Sequence, residues 1–256
     1  RPNGTNINAG CGSMHPEQMC HWVQEHNADI GIAHDGDADR VLLCDETGTL
    51  IDGDDIMGIA ALEMLAEGSL ADNTLVTTVM SNAGLDAAIE AGGGRTIRTP
   101  VGDKHVIDAM LQHGYNFGGE QSGHLIFGDH ASTGDGLVAA LQILRIMAAK
   151  QQPLSKLAQC WTRFPQKLTN LRVTEKKPIE ELEGVPALVA EAEAALQTEG
   201  GRVLLRYSGT EPKIRLLLEG KDADALDTWS EKIVSAIACQ IGEDQTGGAS
   251  STSSQI

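Results

Sequence analysis

Apolar positions along this chain follow two spacings that alternate through its middle part. Segments with an apolar residue every three or four positions predict helices, and short apolar runs bounded by Gly, Asn or Asp predict strands. From residue 52 to about 150 the two kinds of segment follow one another almost without interruption. This alternation is typical of layered α/β domains in which many strands pair in parallel.

The predicted elements continue to the end of the chain, where the pattern becomes a compact α+β unit. Helices are predicted over residues 16–26, 54–65, 85–91, 104–113, 133–149, 185–197 and 223–241. Strands are predicted over residues 30–33, 40–45, 74–80, 95–99, 115–120, 125–127, 168–173, 202–207 and 213–218. The Gly/Ser/Thr-rich residues 246–256 are expected to be disordered.

Composition limits the classes of function. A chain of 256 residues is long enough for two or three compact units. Its net charge of −17 argues against nucleic acid or an anionic membrane as partner, because both require a basic surface. No apolar run approaches the roughly 18 residues of a membrane span. The five cysteines are scattered and form no C-x-x-C pair, which predicts a reducing, cytoplasmic compartment without disulfides or a zinc knuckle.

The first candidate for chemistry is the acidic loop, residues 35–40, which reads D-G-D-A-D-R. Alternating Asp35, Asp37 and Asp39 can converge on a hard cation such as Mg²⁺. An arginine beside a cation is unusual, because like charges repel. The position of Arg40 is explained if Arg40 and the cation bind one anion together, most simply a phosphate. A solvated acidic turn is the alternative, as is a calcium-binding EF-hand with Glu46 at its twelfth position. The EF-hand needs Gly where Arg40 stands, and helices where this loop has strand-like flanks.

Two further loops combine glycine with polar side chains. The glycine loop, residues 118–124, reads G-G-E-Q-S-G-H. Its glycines allow close backbone approach to a ligand, and Glu120 could accept hydrogen bonds from a pair of sugar hydroxyls. The arginine loop, residues 206–215, reads R-Y-S-G-T-E-P-K-I-R. Its two guanidiniums, two hydroxyls and glycine favour an anion-binding nest for phosphate. For the glycine loop the alternative is a polar β-turn, and for the arginine loop it is a surface turn with incidental charges.

A fourth segment, residues 99–105, is a predicted strand-to-helix turn that carries Lys104 and His105. Either side chain could transfer a proton near a phosphorylated sugar. A single Lys or His at the start of a helix more often simply faces solvent, so this segment is a weaker signal.

Taken together, the loops resemble the α-D-phosphohexomutase superfamily, and within it most closely the bacterial phosphoglucosamine mutase branch. The resemblance runs from about residue 3 to residue 242, with the three motifs in the family's order. Residues 79–85, 101–104 and 133–136 support it, and Gln121 is typical of the glucosamine branch. The resemblance implies four regions. They are the C-terminal part of the second domain (1–51), the third domain (52–160), the fourth domain (161–245) and the tail (246–256).

The resemblance implies a reaction that interconverts glucosamine 6-phosphate and glucosamine 1-phosphate, on the route to UDP-N-acetylglucosamine. A phosphoserine donates its phosphoryl group, and a 1,6-bisphosphate forms and turns over. The implied roles are Mg²⁺ binding for Asp35, Asp37 and Asp39; catalysis for Arg40 and Lys104; sugar binding for Glu120, Ser122 and His124; and phosphate binding for Arg206, Ser208, Gly209, Thr210 and Arg215.

The phosphoserine domain of the superfamily and the front of its second domain have no counterpart in these residues. We therefore expect this chain alone to have no mutase activity, and we expect the full-length protein to be a possible homodimer. Three alternatives stay open. They are a phosphoglucomutase or phosphomannomutase of the same superfamily, a non-catalytic phosphosugar-binding module, and a calcium-binding structural module.

Overall fold

The computed structural model describes residues 3–208 and 211–242, and these form two compact units divided between Arg163 and Phe164. The predicted tail at 246–256 lies outside the described residues. Every helix and strand predicted above is present, which confirms the α/β class. A short strand at Leu50–Ile51 and a short helix at Leu154–Leu157 were not predicted.

The first unit contains two sheets. Strands β1 (Ile30–His34), β2 (Val41–Asp45) and β3 (Leu50–Ile51) form an antiparallel sheet in the order β1-β2-β3, and helix α1 (Glu17–His26) packs against it. The second sheet has the order β5-β4-β6-β7. Its strands are β4 (Thr74–Thr78), β5 (Arg95–Thr99), β6 (Phe117–Gly119) and β7 (Leu125–Phe127). Strand β4 pairs in parallel with β5 and β6, whereas β7 runs antiparallel to β6.

Helices cover both faces of this second sheet. They are α2 (Gly53–Glu67), α3 (Ala83–Ala91), α4 (Asp103–His113), α5 (Gly136–Lys150) and α6 (Leu154–Leu157). One apolar core joins Leu75 of β4 to residues of α2, α3 and α5, while the next residue, Val76, packs with α4 on the opposite face. Because successive side chains of a strand point to opposite faces, adjacent residues serve two cores. Single-turn 3₁₀ helices lie at Ala71–Asn73 and Ala158–Cys160.

Polar caps decide where the helices of this unit begin. Asp52 accepts hydrogen bonds from the amides of Asp54 and Asp55, and the amide of Asp52 donates to the Asp55 carboxylate, so α2 begins at Gly53. Asp135 caps α5 by accepting from the amide of Val138 at 3.0 Å. This cap explains why α5 begins at residue 136 rather than at the predicted 133.

The second unit is an antiparallel sheet with two long helices. Strands β8 (Gln166–Arg172), β9 (Arg202–Tyr207) and β10 (Lys213–Glu219) have the order β8-β10-β9. Helices α7 (Val185–Gln197) and α8 (Ala223–Ile241) and a 3₁₀ turn at Ile179–Glu181 complete it. Alternate residues of β10, beginning at Ile214, pack with both helices in one apolar core. No helix in the described part of the chain combines the length and the apolar character needed to cross a membrane.

Candidate functional site

The parallel strands of the second sheet end at one edge, and their following loops carry candidate residues. The loop after β5 contains Gly102, and the glycine loop follows β6. The amide of Gly102 donates to Oε1 of Glu120 at 2.9 Å, which ties the two loops together. Lys104 is exposed in the first turn of α4, two residues after Gly102. Ligands of α/β sheets usually bind in the crevice at this carboxyl edge.

The acidic loop connects β1 to β2 and brings its three carboxylates together. Asp35, Asp37 and Asp39 each offer one oxygen, and these oxygens lie within 4.8 Å of one another. The backbone reverses at Ala38, which has a φ of 61° and whose carbonyl accepts from the amide of Gly136 at 2.9 Å. The first residue of α5 therefore holds the loop in the shape that gathers the carboxylates.

The charges of the acidic loop are incompletely compensated within the described residues. Burial, and then the neighbouring Asp35, raise the pKa of Asp39 above its ordinary value. The Nε atom of Arg40 lies 4.0 Å from Asp35 and 3.9 Å from Asp39, beyond hydrogen-bond distance. Neither this Nε nor Oδ1 of Asp39 has a hydrogen-bond partner among the described residues, although both are buried. Buried carboxylate oxygens left in this way suit a hard divalent cation.

The acidic loop and the glycine loop are joined by direct contacts. Nδ1 of His124 lies 3.1 Å from Oδ2 of Asp39, and Arg40 and His124 form an antiparallel β-bridge. The amide of Val41 donates to the carbonyl of Gly123 at 3.0 Å. Two segments far apart in the sequence therefore form one continuous surface. Sequence reasoning did not predict this junction.

His124 lies deeper than a residue predicted to bind substrate usually does, with only 2% of its surface exposed. Its ring lies against Gly134, where an added Cβ atom would clash with the imidazole. By contrast, Ser122 is exposed at the tip of the glycine loop, and Glu120 lies beneath it with 8% of its surface exposed. In this structure His124 contacts a predicted metal ligand, and its contact with a sugar stays a prediction.

The glycine loop rests on the first turn of α2, a contact that sequence reasoning missed. The amide of Gly53 donates to the carbonyl of Gln121 at 3.0 Å, and a Cβ atom at Gly53 would clash with the carbonyl of Glu120. The side-chain amide of Gln121 donates to Oδ2 of Asp52 at 3.4 Å. The only signal in the sequence is the acidic run D-G-D-D at residues 52–55.

The same turn carries an acidic cluster that faces one arginine; in it Asp54 is buried, whereas Asp52 and Asp55 are half-buried. Burial, and then the charge of Asp52, raise the pKa of Asp54 to about 7, and the same two causes raise the pKa of Asp55 to about 6. Arg163 opposes both shifts. Its Nη2 lies 2.8 Å from Asp52 and 3.2 Å from Asp55, and its Nη1 lies 3.8 Å from Asp54. Asp54 also accepts from the amide of Asn82, the cap of α3, at 2.9 Å.

The arginine loop belongs to the second unit, where it joins β9 to β10. Arg206 and Arg215 are directly opposite each other in this strand pair. Arg215 lies 3.5 Å from Glu211, which also binds Lys213 at 2.7 Å, and hydrogen bonding from Lys213 lowers the pKa of Glu211. Like charges opposite each other in a sheet are unfavourable, so an anion between the two guanidiniums would stabilise this arrangement.

Ser208 is fixed at the start of the turn. Its amide donates to the carbonyl of Lys213 at 2.8 Å, its hydroxyl accepts from the amide of Glu211 at 3.3 Å, and only 3% of its surface is exposed. The ammonium of Lys176 donates to the Ser208 carbonyl at 2.7 Å, which adds a cation that sequence reasoning did not find. The predicted phosphate ligands Gly209 and Thr210 lie outside the described residues.

Comparison with protein families gives two adjacent matches. The model described as "Phosphoglucomutase/phosphomannomutase, alpha/beta/alpha domain III" matches residues 52–164. The model of the C-terminal domain of the same family matches residues 168–236. The two matches contain the glycine loop and the arginine loop.

Comparison with individual proteins agrees with these matches. The chain is 52% identical to "Phosphoglucosamine mutase" of Citrifermentans bemidjiense over 247 residues, 96% of this chain and 54% of that protein. It is 53% identical to the protein of the same name from Geobacter metallireducens, over 94% of this chain and 53% of that protein. The chain thus spans about half the length of the curated relatives it matches.

Solved structures share the fold at much lower identity. The crystal structure of Aspergillus fumigatus N-acetylphosphoglucosamine mutase in complex with GlcNAc-6P and magnesium has a TM-score of 0.69 and 22% identity. The match covers 92% of this chain and 54% of that one. The predicted phosphohexomutase architecture is confirmed.

Proposed function

Because this chain belongs to the phosphoglucomutase/phosphomannomutase family, we propose that it is part of a phosphoglucosamine mutase, an isomerase that interconverts glucosamine 6-phosphate and glucosamine 1-phosphate. One observation carries the proposal. The acidic loop and the glycine loop form one surface through Asp39 and His124, so metal, phosphoryl and sugar groups would meet there. The phosphoryl donor that the resemblance implies is a phosphoserine, and we assign that role to no residue of this chain.

The metal ligands in this proposal are Asp35, Asp37 and Asp39. Their clustered carboxylates and the buried, unbonded Oδ1 of Asp39 fit Mg²⁺. When bound, Mg²⁺ supplies positive charge against the negative charge that builds up on a transferring phosphoryl group. Arg40 adds a guanidinium beside the same carboxylates, directed at phosphoryl oxygens.

The glycine loop holds the sugar in this proposal. One carboxylate oxygen of Glu120 is bound by the amide of Gly102, and we assign the other to sugar hydroxyls. The exposed hydroxyl of Ser122 and the buried ring of His124 complete the sugar-binding set. Lys104 lies at the start of α4, where the helix N-terminus favours an anion. We assign its ammonium to anion binding or to proton transfer.

The arginine loop holds the phosphate that is not reacting. Arg206 and Arg215 supply opposed guanidiniums, Ser208 supplies the turn, and Gly209 and Thr210 extend the set by resemblance alone. Fixing a remote phosphate restrains the sugar, and positioning of this kind contributes a large part of phosphoryl-transfer catalysis.

We test the proposal by calorimetric titration of this chain with glucosamine 1,6-bisphosphate, with and without Mg²⁺, and with glucose 1,6-bisphosphate as control. We expect saturable binding that Mg²⁺ strengthens and that favours the amino sugar. Equal affinity for the two sugars would favour a different hexose specificity. Absence of binding under both conditions would contradict the proposed ligand sites.

The proposal also includes a cellular location and an oligomeric state. A cytoplasmic location is supported by the five cysteines, all of which are free in the structure. A homodimer is a prediction for the longer protein, and light scattering of that protein tests it.

A further inference from the structure

The glycine loop lies directly on the N-terminal turn of α2, with no side chain between the two backbones. Gly53 donates its amide to the carbonyl of Gln121 at 3.0 Å, and the absence of a Cβ atom at Gly53 leaves room for the carbonyl of Glu120. A second contact joins the Gln121 side chain to Asp52 at 3.4 Å. The position of the predicted sugar-binding residues therefore depends on this one helical turn.

Asp52 divides its two carboxylate oxygens between these contacts. Oδ1 accepts from the amide of Asp54 at 3.0 Å and from Nη2 of Arg163 at 2.8 Å. Oδ2 accepts from Gln121. Rotation of the carboxylate would break the helix cap and the contact to the glycine loop together, so whatever fixes the Asp52 side chain also fixes the loop.

Arg163 is the cation that fixes this carboxylate. It contacts Asp52 and Asp55 through one nitrogen and approaches Asp54 through the other, and its guanidinium lies over the Trp161 ring at 4.9 Å. Three carboxylates this close repel one another when no cation lies among them. The guanidinium presents a second nitrogen to Asp54 and a flat face to Trp161 while its first nitrogen binds the other two carboxylates, whereas an ammonium offers only one charged nitrogen.

We propose that Arg163 is a positioning residue for the glycine loop, which it holds through Asp52 and the first turn of α2. This inference rests on the proposed function, because the loop is assigned there to sugar binding. Among the described residues, Arg163 contacts none of those assigned to the ligand. Gln121, in turn, is assigned to support the loop from below, through Asp52.

The test measures amide hydrogen exchange by NMR in the wild-type chain and in Arg163→Met. The amides of Gly53 and Gly123 report on the loop, because each is bonded to a glycine-loop carbonyl. We expect both to exchange about tenfold faster in the variant, since a lost charge-assisted contact corresponds to roughly that factor. Amides of strand β4 report on global unfolding, and they should remain better protected than the loop amides in both proteins, which assigns the faster loop exchange to local opening.

Three variants make the comparison specific. Arg145→Met removes a matched arginine of the same unit, which pairs with Glu67 at 3.0 Å, and should leave the loop amides unchanged. Arg163→Lys should restore only part of the protection because it keeps the charge without the fork. Gln121→Met removes the side-chain contact between Gln121 and Asp52. In the double variant with Arg163→Lys, the change in exchange rate should be smaller than the sum of the two single changes.

Loop amides that exchange at the wild-type rate in Arg163→Met would overturn the inference. If Arg163→Met does not fold, the Gln121→Met and Arg163→Lys pair decides, and additive effects would overturn the inference. Binding of glucosamine 1,6-bisphosphate separates this inference from the proposed function. A wild-type chain that binds no sugar bisphosphate contradicts the proposed function, while the exchange data still decide the role of Arg163.

Discussion

Nδ1 of His124 lies 3.1 Å from Oδ2 of Asp39, and this contact connects the glycine loop with the acidic loop. The histidine is buried, whereas Asp39 is partly open to solvent. One carboxylate is therefore shared between a buried imidazole and the cluster that we assign to Mg²⁺. This contact couples the two loops, so the effect of a substitution in one loop should be measurable in the other.

His124→Ala should weaken binding of glucosamine 1,6-bisphosphate and lower the free energy of unfolding by about 1–3 kcal/mol. The loss combines a cavity beside Gly134 with Oδ2 of Asp39 left without its imidazole partner. Chemical denaturation and calorimetry measure the two effects. His21→Ala is the control, because His21 is exposed on α1. Unchanged binding in His124→Ala would contradict the link between the loops.

Asp37→Asn should remove most of the stabilisation that Mg²⁺ gives to the chain. A bound ligand raises the melting temperature by mass action, and loss of one carboxylate ligand weakens that binding. Without Mg²⁺ the variant should be at least as stable as the wild type, because repulsion with Asp35 and Asp39 is relieved. Asp29→Asn, at an exposed position before β1, should keep the full Mg²⁺ shift. Thermal melts with and without Mg²⁺ measure this shift. A full Mg²⁺ shift of the melting temperature in Asp37→Asn would contradict the metal assignment.

Asp54 should make the chain less stable as pH rises from about 4 to about 7. The side chain is fully buried, and its pKa is raised from 3.8 to about 7. In that interval the folded state therefore binds the proton that the unfolded state has released. The free energy of unfolding then falls by at most about 1.4 kcal/mol per pH unit. The groups that face Asp54 are Asp52, Arg163, Ser81 and Asn82.

Asp54→Asn should flatten this dependence, although the raised pKa of Asp55, about 6, leaves part of it in place. Urea denaturation at a series of pH values measures the slope. Asp108→Asn, at an exposed position on α4, should keep the wild-type slope. An equally steep fall in stability in Asp54→Asn would mean that other groups cause the pH dependence.

Arg206→Gln should weaken binding of inorganic phosphate and of sugar bisphosphate without loss of stability. Arg206 is opposite Arg215 in the β9–β10 pair, so removal of one charge relieves repulsion of up to about 1 kcal/mol. Calorimetry and denaturation together show whether affinity and stability change in opposite directions. Lys167→Gln removes an exposed cation of β8 that pairs with Asp227, and phosphate affinity should not change. Full affinity in Arg206→Gln would argue against a phosphate site.

The sequence predicted most elements because their signals are local. Helix α8 and strand β9 have the predicted limits, since an apolar spacing and a cap are readable within one segment. Strand β3 was missed because its two residues are too few to show a period. Helix α5 begins later than predicted because Asp135 caps it. Several polar residues precede this helix, and the backbone conformation decides which of them is the cap.

The candidate residues were also predicted locally, but their connections were not. The spacing of Asp35, Asp37 and Asp39 indicated a cation site, and the structure gathers their oxygens. The burial of His124 against Gly134 and the ion pairs of Arg163 with Asp52 and Asp55 involve residues distant in the chain. No local pattern contains such contacts, because they form only when separate elements pack together.

The sequence by itself therefore determined the α/β class, the order of the three loops and the chemical character of each loop. Spacing and residue type carry this information because propensity, patterning and side-chain chemistry act within a few residues. Only the tertiary structure decided that Asp39 meets His124 and that Gln121 rests on Asp52. Strand pairing and helix packing set those distances, and they also determine which charges are buried and which pKa values move.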